Sequence, residues 1–139
     1  KELKIAVIVS EWNYKVTDRL YKGAFETLIK HNVLKSNIIK INVPGSFELI
    51  HGARIAQKQN YNAIIVIGSI IQGETKHFDF ISQSVANSIG ILNTNDLSPV
   101  IFCVLTDNNI SQSISRSGGE NGNKGVEAAI AAMRMSRLN

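Results

Sequence analysis

A chain of 139 residues, 44% of them apolar, can bury one substantial hydrophobic core, which excludes a disordered chain. The net charge of +4 is spread over scattered lysines and arginines, with no basic run and no aromatic residues interleaved with them, so nucleic acid is not an expected partner. No apolar run approaches the roughly 20 residues of a membrane span. The single cysteine, Cys103, excludes an internal disulfide and a cysteine metal cluster and fits a cytoplasmic setting.

The first apolar run, Lys4-Ile5-Ala6-Val7-Ile8-Val9, reads as a strand buried on both faces. A loop over Ser10-Glu11-Trp12-Asn13 leads to a helix from about Val16 to Lys30, with Val16, Leu20, Ala24 and Leu28 on one stripe. A second strand over Ile38 to Val43 is broken by Pro44-Gly45, and Ser46 is the expected N-cap of a helix running to about Gln59. The third strand, Ala63 to Ile67, opens into a long glycine-bearing loop from Gly68 to His77. A helix then runs to about Leu92. Pro99 introduces a fourth strand, Val100 to Leu105. A short helix over Ile110 to Ser117, a flexible turn over Gly118 to Asn123 and a last helix from Val126 to Leu138 complete the chain.

Strands alternating with helices predict parallel pairing through right-handed crossovers. The expected fold is α/β: a flavodoxin-like three-layer αβα sandwich, a four-stranded parallel sheet with helices on both faces. No linker or internal repeat divides it, so residues 1–139 read as a single domain. The opening on Lys1 rather than Met leaves a removed leader or arm as an expectation.

In such a sheet, ligands bind beyond the carboxyl ends of the strands, where four unusual segments should converge. Trp12 is either a lid on the core or a flat face for a planar ring. Glu48 either complements a helix dipole or accepts hydrogen bonds from ligand hydroxyls. Gly73-Glu74-Thr75 before a helix offers backbone N–H groups and a hydroxyl to an anion, though it matches neither a P-loop nor a dinucleotide fingerprint. His77 is a capping or surface residue or, as an imidazole, a proton carrier. Arg116 complements a helix C-terminus or clamps a phosphate. Phe102 and Cys103 read as core, His31 and His51 as structural or solvated, and Lys124 as a turn lysine. No histidine pair has metal-ligand spacing, so no metal is expected.

Taken together, several blocks resemble the lumazine synthase family over nearly the whole chain. They are Trp12-Asn13 with Gly23-Ala24 downstream, Val43-Pro44-Gly45-Ser46-Phe47-Glu48, Gly73-Glu74-Thr75-Lys76-His77-Phe78-Asp79, Pro99 to Thr106, and Gly122-Asn123-Lys124-Gly125. The resemblance implies condensation of 5-amino-6-(D-ribitylamino)uracil with 3,4-dihydroxy-2-butanone 4-phosphate to 6,7-dimethyl-8-ribityllumazine, the penultimate step of riboflavin biosynthesis, with no cofactor. It implies that Trp12 stacks on the pyrimidine and that Ser46, Phe47 and Glu48 bind the ribityl chain. Ser69, Ile70 and Ile71 would read the pyrimidine edge through their backbone, and Phe102 would line the same pocket. Glu74, Thr75 and Arg116 would hold the phosphate, and His77 would act as the general acid and base.

The resemblance further implies a homopentamer with active sites shared between subunits, so that Phe102 and Arg116 come from the neighbour of the subunit supplying Trp12 and His77. A decamer and a closed 60-subunit shell are open as higher assemblies, and riboflavin synthase as a partner. Glu11, Cys103, Ile50 and Glu120 stand where the family more often has arginine, glycine, proline and a basic residue, and Trp12 replaces a commoner phenylalanine. A non-catalytic riboflavin or lumazine carrier and a flavodoxin-like FMN module are the rival readings. A carrier has no need of a phosphate clamp, and an FMN module expects a hydroxyl- and glycine-rich loop after the first strand, which Ser10 to Asn13 do not supply.

Overall fold

A computed structural model describes residues 2–73 and 77–138. Strand β1 (Ile5–Ser10) leads into helix α1 (Tyr14–Lys30), and β2 (Ile38–Val43) into a 3-10 turn over Ser46–Glu48 that runs on as α2 (Leu49–Gln57). Then come β3 (Ala63–Ile71), α3 (His77–Leu92), β4 (Val100–Asp107), α4 (Ile110–Arg116), a small hairpin of β5 (Ser117–Gly119) and β6 (Gly122–Asn123), and α5 (Lys124–Ser136).

The four long strands form one parallel sheet in the order β2-β1-β3-β4. The alternation of side chains splits the core in two. Ile5, Val7, Val9, Ile65, Ile67, Cys103 and Leu105 pack under α1 and α5, while Ala6, Ile8, Ile64, Val66 and Val104 pack under α2 and α3. Both sets are apolar because both faces are covered, which is why β1 and β3 read as unbroken Val/Ile runs.

The chain path explains where a crevice opens. The β1-to-β2 connection steps toward one sheet edge over the α1 face. The next two connections step the other way over the opposite face, as a constant right-handed crossover demands. Neighbouring strands β1 and β3 therefore send their connections in opposite directions, and their carboxyl ends part at a topological switch point.

Three expectations need correction. The third strand does not stop at Ile67 but runs to Ile71, because β4, itself longer than expected, pairs with it as far as Ile71↔Asp107. Ser46, Ser69, Ile70 and Ile71 change context accordingly: the last three are strand, not loop. Ser46 is no N-cap but the buried first residue of the 3-10 turn. The turn after α4 is a hairpin, joined Ser117↔Asn123, with Gly118 at φ 115° and Gly122 at φ 81° supplying the left-handed backbone it requires. Among the described residues no helix is long and apolar enough to cross a membrane.

Candidate active site

The switch-point crevice is assembled from four chain segments. After β1 the backbone leans on the exit of β2: the Glu11 N–H donates to the Val43 carbonyl at 2.8 Å and the Trp12 N–H to the Pro44 carbonyl at 3.0 Å. Asn13 then takes a left-handed conformation, φ 61°, which asparagine tolerates better than most residues. Its Nδ2 donates to the Ser69 carbonyl at 2.8 Å, tying the exit of β1 to β3. The turn so made aims Trp12 outward. Its indole is 67% exposed and lies against Gly45, so the lid reading gives way to an open aromatic face.

Gly45 is what lets the ring sit there. A Cβ on it would stand 2.4 Å from Trp12 Cε3. The Gly45 N–H donates to Glu48 Oε1 at 2.9 Å, so that carboxylate is oriented by the loop it follows. Its second oxygen has no hydrogen-bond partner among the described residues. Ser46 is turned inward onto Gly68, where a Cβ would meet its Oγ at 2.5 Å, and Phe47 is half exposed.

The β3 segment carries the most telling geometry. Pairing with β1 ends at Val9↔Ile67, whereas pairing with β4 continues to Ile71. Along Gly68–Ile71 the β1-side backbone of β3 is thus a short free edge facing the crevice, engaged among the described residues only by the Asn13 amide. Such an edge offers donors and acceptors in fixed alternation, suited to a planar ring with polar edges. The Ser69 hydroxyl is buried with no partner among the described residues. His77 opens α3 with its side chain exposed. Glu74 and Thr75, expected to hold an anion, lie outside the described residues, as does Lys76.

Trp12, Ser46 and Glu48 thus gather around Gly45 and Gly68 beside Ser69, with Ile70 and Ile71 following along β3, while Phe47 and Glu48 also border a cavity of about 420 Å³ with His51, Arg54 and Leu92. Phe102 does not reach this crevice. It projects from the outer strand β4, opposite Val66, 43% exposed. From the level of Trp12 it is two strands across, roughly 10 Å, and four residues back, roughly 13 Å. A groove of about 440 Å³ runs along that edge between β4 and α5, bordered by Phe102, Leu105, Lys124 and Ala131. Arg116 closes α4 near the end of β4, where its Nη1 donates to Asp107 Oδ1. Asp107 is buried, and its other oxygen accepts from Ser113 Oγ at 2.9 Å. Arg19 secures this corner by donating from Nε to the Ser117 carbonyl at 3.1 Å.

Sequence reasoning missed Asn13 as a tie, Asp107 and Arg19. The signal for Asp107 was present: a carboxylate closing a buried strand needs a cationic or hydroxyl partner. The other histidines follow their bland readings, His31 bonding the Thr27 carbonyl through Nδ1 at 2.9 Å and His51 standing exposed on α2. Lys124 pairs with Glu127 at 3.3 Å. A cavity of about 640 Å³, bordered by Leu3, Leu34, Asn62 and Arg137, lies at the opposite, amino-terminal end of the sheet.

Residues 2–139 match the family model of 6,7-dimethyl-8-ribityllumazine synthase. A protein of that name from Flavobacterium johnsoniae is 58% identical over 139 residues, 99% of this chain and 73% of its own length. Those from Christiangramia forsetii and Porphyromonas gingivalis are 53% and 45% identical, each over 99% of this chain, and over 83% and 86% of their own lengths.

Proposed function

Because this chain belongs to the 6,7-dimethyl-8-ribityllumazine synthase family and carries that transferase activity of riboflavin biosynthesis, we propose that its two substrates condense in the crevice between β1 and β3. The observation that carries the assignment is the free backbone edge of Gly68–Ile71 beside the open indole of Trp12. A pyrimidine needs both, a face to stack on and a polar edge to pair with.

The uracil ring lies on Trp12 with its edge toward Ser69, Ile70 and Ile71. The ribityl chain follows Ser46, Phe47 and the second oxygen of Glu48. This leaves the free amine facing the carbonyl of 3,4-dihydroxy-2-butanone 4-phosphate, whose phosphate is held by Glu74, Thr75 and the Arg116 guanidinium. The amine attacks the carbonyl and an imine forms with loss of water. Phosphate is then eliminated, and the ring closes with loss of a second water. His77 carries protons between these steps, which such a group accelerates by about 10²–10⁴-fold. Holding the two reactants together accounts for a larger share, roughly 7–11 kcal/mol of the barrier.

One chain does not complete the pocket. Phe102 is too far along the sheet edge to reach its own Trp12, and the groove beside it is open. A ring of subunits, each presenting β4 and α4 to the crevice of the next, brings Phe102 and Arg116 to it. The pentamer is the ring we assign.

Mixing the protein with both substrates and following the fluorescent lumazine together with released phosphate tests the activity. Product and phosphate should appear in equal amounts, well above the uncatalysed rate. A protein that binds the pyrimidine without accelerating product formation is a carrier, and the reading falls.

A further inference from the structure

We propose that Asp107 is a positioning residue that sets the grip of the site on the phosphorylated substrate by fixing the Arg116 guanidinium. This deepens the reading of Arg116 as a phosphate ligand and rests on it.

Arg116 ends a seven-residue helix, and its side chain is 40% exposed. A long side chain in that setting samples several rotamers, and ordering it on binding weakens affinity. Asp107 removes that freedom. It is 3% exposed at the end of β4, held in the sheet by its pairing with Ile71 and by its carbonyl, which accepts from the Gln72 N–H at 2.9 Å. Oδ2 accepts from Ser113 Oγ at 2.9 Å, and Oδ1 accepts from Arg116 Nη1. The carboxylate is thus locked by the helix that carries the arginine and in turn locks the arginine's head.

A guanidinium has several N–H donors in a planar fork, and among the described residues Nη1 is the one engaged. The fork is therefore held from its buried side while its other donors remain for an anion. The same buried contact cannot itself hold substrate, which is why Asp107 acts only through Arg116.

Steady-state kinetics on the assembled enzyme test this with Asp107→Ala, Ser113→Ala, Arg116→Ala and the Asp107→Ala/Arg116→Ala double variant. Inhibition by inorganic phosphate serves as the binding probe. Asp107→Ala should raise the KM for the phosphorylated substrate and the phosphate inhibition constant together, on the order of tenfold, the scale expected for ordering one long side chain. The KM for the pyrimidine should not move. Ser113→Ala, which leaves the ion pair intact, should shift both in the same direction by less. In the Arg116→Ala background, Asp107→Ala should add nothing.

Unchanged or tighter phosphate binding in both Asp107→Ala and Ser113→Ala overturns the proposal, while Arg116→Ala still weakening phosphate leaves the underlying assignment standing. Phosphate binding indifferent to Arg116→Ala overturns the assignment itself. A parallel rise in the KM of both substrates means a structural disturbance rather than positioning and also sinks the proposal.

Discussion

Gly45→Ala isolates the aromatic face from the rest of the site. The backbone at Gly45 is extended, φ −129° and ψ −177°, which alanine adopts without strain. The new methyl would stand 2.4 Å from Cε3 and 2.6 Å from Cζ3 of Trp12, and 3.2 Å from Glu48 Oε1. Carbon atoms rest about 3.5–4.0 Å apart, so the indole must retreat by roughly 1 Å or more. It can do so cheaply, because it is mostly exposed. Alanine also gains about 0.4–1 kcal/mol over glycine through the unfolded chain. Overall stability should therefore change by no more than about 1 kcal/mol. Function should suffer more, since a 1 Å misplacement of a reactant can cost on the order of 10²-fold. The expected result is a fall in kcat/KM of about 10- to 100-fold, with the KM for the pyrimidine raised. Trp12 is the only tryptophan, so intrinsic emission reports on this ring alone. If emission shifts and the thermal midpoint holds while the pyrimidine KM stays at its wild-type value, the indole is not the stacking face.

The same kind of close approach has the opposite consequence at Gly125, where a Cβ would lie 1.9 Å from the Leu20 carbonyl oxygen. Backbone of α1 and α5 cannot step aside as an exposed ring can, so Gly125→Ala should cost about 3 kcal/mol or more and lower Tm on the order of 10 °C in a thermal scan. His77→Ala should reduce kcat by about 10²–10⁴-fold yet leave product formation measurable, and an unimpaired kcat would remove the imidazole from the chemistry. Burial pushes the Cys103 thiol from the ordinary 9.0 up to about 12, with Glu127 adding to the rise and Lys124 opposing it. A thiol kept neutral in the folded state favours folding below pH 9, and that contribution is lost as pH climbs from 9 toward 12. Cys103 should accordingly resist a thiol reagent at pH 8 until denaturant is added, and rapid labelling of the native protein would contradict its burial.

Elements whose cause is local were legible in the chain. β1 is a run of Ile and Val because both its faces are covered, and α1 keeps Val16, Leu20, Ala24 and Leu28 on a single stripe against it. Pro44 and Gly45 mark the exit of β2 by backbone chemistry alone. What was not legible depends on a distant partner. The glycine at 68 suggests a loop, yet β4 holds Gly68–Ile71 in the sheet. Ser46 has the chemistry of a cap, yet the pocket left by Gly68 takes its side chain inward. The Asn13 amide on Ser69 joins residues 56 apart in sequence, whose proximity only the folded sheet creates. Local propensity has no access to such pairings.

Whether the pocket is shared between subunits can be decided without seeing the assembly. Take His77→Ala and Arg116→Ala, each crippled at every site it can build alone. Unfold them together in equal amounts and refold. If a site draws His77 from one subunit and Arg116 from the next, it is whole when the first comes from the Arg116→Ala stock and the second from the His77→Ala stock, which random closed rings supply at about a quarter of their interfaces. If instead each chain furnishes both groups to its own crevice, no mixture contains one intact site. Activity regained well above the sum of the separately refolded variants is the outcome expected from the position of Phe102 on the open edge of β4, out of reach of its own Trp12. Activity no greater than that sum, in a mixture that does form mixed rings, would return the whole reaction to a single chain and leave the exposed β4 edge without its assigned role.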